Sequence, residues 1–342
     1  MKPSRRNLIL ALSLLCAAAS RAAAQPLESA SQLRVGVFSV DASPAVGSPL
    51  AYDPTKGVEW PLSAKGVVIL GAGKPIVLLS IDWIGIANDG HKLFREKLAA
   101  AAETDLSRVS VHSVHQHDAP LCDQSAYAIL EKEGIAEQFL DKKLALDVMD
   151  RSAAALKEAI ASAAPVTHLG TGKAIIEKVA SNRRIMGPDG KVKAVRYTAT
   201  KDPALRDEPV GLIDPELKMI SFWNGDKPIV ALTYYATHPQ SYYRTGLANP
   251  DFPGMARDER QKETGVPHVH FNGAGGNIGA GKWNDGSPAN RPILMARVAA
   301  GMKAAWEATE KTPIAASDVA WTTAEAALPA GPHLDGKSLE AL

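Results

Sequence analysis

The run Pro75-Ile-Val-Leu-Leu-Ser-Ile-Asp-Trp-Ile-Gly-Ile86 limits what this chain can become more than any other stretch. Its apolar residues are continuous rather than alternating, the pattern of a β-strand covered on both faces. Asp82 stands in its middle. Burying a bare carboxylate there is costly, so Asp82 must be paired, hydrogen-bonded or joined to a metal. A structural carboxylate bonded to a neighbouring loop and a functional one are equally good readings of it. With 342 residues and 46% hydrophobic content, the chain can bury a substantial core. Its formal net charge of +1 points to neither nucleic acid nor a polybasic membrane contact.

Around that run, strands and helices alternate. Strand patterns cover residues 33–40, 66–71, 75–86, 109–114, 169–178, 195–199, 217–223, 228–236, 268–271 and 318–326. Asn224-Gly225 marks a hairpin turn. Helical spacing covers 91–103, a long Ala-rich stretch at 129–163, then 249–264 and 288–311. No internal repeat is legible. The expected fold is α/β, a single domain with a mixed β-sheet flanked by helices.

Chemistry collects where strands run out. Val109-Ser-Val-His-Ser-Val-His-Gln-His-Asp-Ala-Pro120 holds three of the nine histidines within six residues. Continuing the strand register puts His115 and His117 on one face. Solvated histidines are the bland alternative, but imidazoles in this density suit a metal or catalytic site. His238 also stands where a strand gives way to a loop, in Thr233-Tyr-Tyr-Ala-Thr-His238-Pro239. Strand ends are where open α/β sheets place ligands. The tyrosines at 234, 235, 242 and 243 could partly wall a pocket.

Several activities are excluded. Gly276-Asn-Ile-Gly-Ala-Gly281-Lys282 has phosphate-loop spacing, but Trp283 replaces the magnesium-binding Ser or Thr and no helix can follow. The loop reads instead as a tight turn, either lining a pocket with backbone amides or simply packing. There is no Gly-x-Ser-x-Gly elbow and no His-Glu-x-x-His helix motif. A hydrolase with metal-activated water fits what remains.

The same residues resemble the catalytic domain of the neutral/alkaline, non-lysosomal ceramidases. The likeness runs from about Val35 to about Ile278, through Val35-Gly-Val, Ser80-Ile-Asp82, His115-Gln-His117, Asn182-Arg183 and Ala236-Thr-His238-Pro239. Asn272 to Ile278 is similar to the family's Gly-Asp-Val-Ser-Pro-Asn-Ile. The resemblance implies Zn2+ held by His115 and His238. It places His117 beside the metal, against substrate or water, and Arg183 on the substrate carbonyl. Zinc lowers the pKa of its water to ~7, which gives a nucleophile for an amide carbonyl. Gly275 stands where the family has Ser, which puts ceramide itself in doubt. The family's further zinc ligands, a Glu and a Tyr, lie beyond Leu342, so truncation at the C-terminus is expected.

Residues 1–24 read as a signal peptide, with Lys2, Arg5 and Arg6, then an apolar run too short to span a bilayer, then Ala22-Ala-Ala24. The 25–342 remainder is then an exported, periplasmic or secreted, catalytic domain. Cys122 is its lone cysteine and reads as packing. The expected function is a zinc-dependent amidohydrolase acting on a small-molecule or lipid amide, with no nucleic acid partner and no transmembrane segment. The rivals are a non-catalytic exported ligand-binding protein and a hydrolase of a different amide or ester.

Overall fold

The computed structural model describes residues 32–327, 329 and 331. The expected signal peptide, Cys16 and the end of the chain lie outside the described residues.

The longer strands assort into two five-stranded mixed sheets, where the sequence led us to expect one, and short strands pair in two-stranded ribbons beside them. The first contains β1 (Arg34–Asp41), β2 (Ser63–Gly71), β3 (Gly73–Ile81), β4 (Val109–Ser113) and β5 (Ala164–Pro165), in the order β4-β3-β2-β1-β5. Helix α1 (Asn88–Ala102) links β3 to β4, and α2 (Lys142–Ala161) precedes β5. The second sheet contains β6 (His168–Ile175), β7 (Glu216–Asn224), β8 (Lys227–Tyr235), β9 (His268–Asn272) and β10 (Glu310–Pro313), in the order β9-β8-β7-β6-β10. Helix α3 (Asp251–Thr264) links β8 to β9, and α4 (Asn290–Glu307) precedes β10.

The two halves therefore share one topology. Each is an antiparallel meander of three strands. A helix then leads to a parallel fourth strand. A last helix returns the chain to an antiparallel edge strand beside the first. The repeat is one of topology and is invisible in the sequence. Yet matching residues meet matching constraints. A Cβ on Gly36 of β1 would fall 2.2 Å from the Ala159 carbonyl oxygen of α2, and one on Gly172 of β6 would fall 2.0 Å from that of Ala305 in α4. Glycine lets each helix lie directly on its first strand.

Period-two alternation explains the layering. In β2, Val68 and Leu70 face α1 and α2, while Val67 and Ile69 face the second sheet. In the second sheet, Leu217, Met219 and Ala231 pack on α3 and α4, while Phe222, Val230 and Leu232 meet the first sheet. Helices, sheet, sheet, helices make four layers, and each inner strand is apolar on both faces because both faces are covered.

Several elements depart from the sequence reading, among them the strand expected at 195–199, which lies instead at Val192–Val195. The stretch at 129–163 is two helices, Gln124–Lys132 and α2, separated at Gly134, whose φ is +69°. The strand expected to reach 86 stops at Ile81, and the expected strand at 318–326 is irregular. Among the described residues no helix is long and apolar enough to cross a membrane.

Candidate metal centre

Strand β4 ends at Ser113, so His115 and His117 do not continue its register. Instead His115 takes a left-handed φ of +81°, uncommon for a residue with a side chain, while its N–H donates to the Trp83 carbonyl at 3.0 Å. Between the two histidines, Gln116 is fully buried and donates through Nε2 to Asp82 Oδ1 at 3.0 Å. Anchoring the middle residue inward leaves both flanking rings on the other side. Asp82 is thus structural. It accepts from the Ser63 N–H and hydroxyl at 2.9 and 2.8 Å and pairs with the buried Arg257 at 2.8 Å.

His238 arrives from the other half, three residues past β8, its N–H bonded to the Ile278 carbonyl at 2.8 Å. The three rings converge. Centroids of His115 and His117 are 5.1 Å apart, His115 and His238 4.8 Å, His117 and His238 4.9 Å. One nitrogen from each lies within 4.8 Å of the others, a group able to hold a metal ion. His112, the third histidine of the motif, points away and accepts the Asn272 N–H at 3.0 Å.

The outer sides of the rings are occupied. His115 Nδ1 donates to the Ile84 carbonyl at 2.5 Å, the Tyr52 hydroxyl lies 3.1 Å from His117 Nδ1, and the Gly275 backbone lies against His238. Such partners orient a metal-binding imidazole and select its tautomer. Inside, Nε2 of His117 and of His238 are 2.8 Å apart. With protons on the outer nitrogens, lone pairs face one another, and a cation among them would relieve their repulsion. Burial, His238, His115 and Arg183 push His117 down to about 3; burial, His115 and Arg183 push His238 down to about 4. Both are neutral at neutral pH, the form that ligates metals. The residues present therefore fit a divalent cation.

Arg183 is half-buried, and its charge reaches both His117 and His238. Its N–H bonds the Asn277 carbonyl at 2.8 Å and its Nη1 donates to the Gly276 carbonyl at 3.2 Å. Gly275 packs flat on the His238 peptide, where a Cβ would fall 2.8 Å from the Thr237 oxygen and 3.1 Å from the His238 nitrogen. Gly279 and Gly281, farther along the glycine-rich loop, serve packing. A Cβ on Gly281 would fall 1.8 Å from the Tyr197 carbonyl oxygen. Lys282 Nζ donates to the carbonyls of Arg206, Asp207 and Glu208, at 2.6, 3.3 and 2.7 Å, and so serves a helix end rather than a phosphate. Burial pushes the Cys122 thiol up to about 12, which leaves it inert.

Three neighbours of the cluster carry no periodic signal in the sequence. Tyr52 stacks on His117 with centroids 5.6 Å apart, Tyr243 meets the same ring edge-on at 5.4 Å, and Arg244 lies over both tyrosines. Of the other tyrosines, Tyr234 stacks on Phe271 between the sheets and Tyr235 is core.

No protein-family model and no curated protein matches the chain. Solved structures do. A ceramidase complexed with C2 matches with a TM-score of 0.63 and 18% identity, over 82% of this chain and 45% of that one. Neutral ceramidase from Pseudomonas aeruginosa matches with the same score and identity, over 82% of this chain and 46% of its own. The chain spans less than half the length of these structures. Over most of its length, then, this chain has the fold of neutral ceramidase.

Proposed function

We propose that this protein is an exported zinc-dependent hydrolase of an amide bond, in which His115, His117 and His238 hold the metal. The observation that carries the reading is the convergence of three imidazoles, with the outer nitrogens of His115 and His117 already engaged. Three protein ligands with a fourth position open is the arrangement of catalytic rather than structural zinc. His117 thus joins the ligands instead of standing beside them. A zinc ion bound there supplies an acidic water and a Lewis acid for a carbonyl. The chain supplies the rest. Arg183, its Nη1 fixed on Gly276, offers its remaining N–H groups to the substrate carbonyl as charge develops on oxygen. The Gly275 loop holds His238 in place.

The two solved structures described above are ceramidases by name. Here a Ser at position 275 would need the loop to move off the His238 peptide, so we assign a small-molecule or lipid amide and not ceramide itself. Residues 1–24 direct export. Metal analysis of the purified protein tests the reading: one zinc per chain is expected, lost in H115A and in H238A. Unchanged metal content in both variants would remove the ligand assignment. Full zinc without turnover of any amide would leave a binding protein.

A further inference from the structure

Two cations beside the cluster have no carboxylate partner among the described residues. Arg183 spends one N–H on the Gly276 carbonyl and lies 5.2 Å from the Tyr197 ring centroid. Arg244 lies 5.3 Å from the centroid of Tyr52 and 5.8 Å from that of Tyr243, the rings that pack on His117. Three buried arginines behave differently: Arg257, Arg260 and Arg291 are each paired with an acid, while the buried Arg196 is held by backbone carbonyls.

Acids that might serve Arg244 are used elsewhere. Asp118 accepts from the backbone N–H groups of Arg244 and Thr245 and from the Thr245 hydroxyl, and faces Arg291 at 3.8 Å. Asp251 and Glu59 also face Arg291, at 3.6 and 2.8 Å. The Asp118 bonds hold Arg244 at a left-handed φ of +65°, a conformation that side chains other than Gly rarely adopt unless their surroundings impose it. The guanidinium is thereby kept at the rim, on two aromatic faces. Among the described residues no carboxylate enters the candidate ligand set. With a divalent ion in place, the site would combine that ion, neutral imidazoles and two guanidiniums. Such a region attracts negative charge, and guanidinium forks suit carboxylates geometrically.

We propose that Arg244, assisted by Arg183, binds an anionic group of the substrate, so that this site prefers amides bearing a carboxylate, such as N-acylated amino acids, to neutral amides. The word substrate rests on the hydrolase reading; the anion site does not.

Calorimetric titration of the zinc-loaded protein with N-octanoylglycine and with neutral N-octanoylglycinamide varies ligand charge at nearly constant shape. The wild type is expected to bind the carboxylate about ten-fold or more tightly than the amide, less so at high salt. R244A should bring that ratio most of the way to one, and R244K should restore part of it. Zinc also attracts carboxylates, so the Arg244 dependence is the decisive readout. Equal affinities in the wild type overturn the proposal. So does a preference that survives R244A in protein of unchanged zinc content and melting temperature. Glycine release from the same compound judges the hydrolase reading separately. Charge-selective binding without turnover keeps the anion site and removes the hydrolase, and indifferent hydrolysis of both compounds does the reverse.

Discussion

The His117 ring is gripped from two sides, by the Tyr52 hydroxyl at Nδ1 and by the other imidazoles at Nε2. Removing the hydroxyl frees the ring to rotate and to change tautomer. Y52F is therefore expected to weaken zinc binding about 10–100-fold with little change in fold, measured by competition with a chromophoric chelator. Unaltered affinity would make Tyr52 a packing residue only. At this scale the sequence was informative about His115 and His238, because strand ends collect functional groups and imidazoles are rare. It was silent about Tyr52 and Arg244, and it offered Tyr243 only as one of four tyrosines that could wall a pocket. Loop residues follow no period, so nothing in their spacing reports what they will touch. Asp82 was legible as a problem, a carboxylate in an apolar run. Its solution, Arg257 on a helix of the other half, was not legible.

Two predictions belong to the elements. The paired glycines let α2 and α4 rest on β1 and β6, so G36A and G172A should each force a helix outward. Overpacking of this kind costs about 1–3 kcal/mol, and each variant should lower the urea midpoint accordingly. A stable G172A protein would mean that α4 can shift freely. The second prediction concerns acid. Burial pushes His112 and His268 down to about 4 and His270 down to about 3, all well below the ordinary value near 6.5. His268 Nε2 has no hydrogen-bond partner, and His112 Nε2 accepts a backbone N–H, so a proton on either is badly placed. The unfolded chain takes up these protons first. Stability is then complete above pH ~6.5 and falls as pH drops from there toward the folded values, by up to ~1.4 kcal/mol per unit for each group. Urea midpoints that stay flat between pH 7 and 5 would contradict this. The sequence recovered most element types because periodicity is local. It missed the break at Gly134, since a glycine inside a helical pattern can be tolerated or can end it, and only packing decides.

At the scale of the molecule, the cluster draws His115 and His117 from one half and His238 from the other. An ion held there ties the two sheets together in the native state alone. With free zinc at 1,000 times its dissociation constant, that linkage amounts to ~4 kcal/mol. Chelation should lower the melting temperature by ~5–10 °C, and H238A, already without the tie, should barely respond. An equal drop in H238A would place the metal elsewhere. The amino-acid sequence by itself determined the α/β class, the run of strands and helices, and the chemistry waiting at strand ends, because side-chain alternation and residue type act over a few neighbouring positions. Tertiary structure alone decided that the strands form two sheets, that the halves share one topology, and that rings 121 positions apart meet nitrogen to nitrogen. A strand that must be covered on both faces says nothing about what covers each, and loops converge only once the layers beneath them have packed.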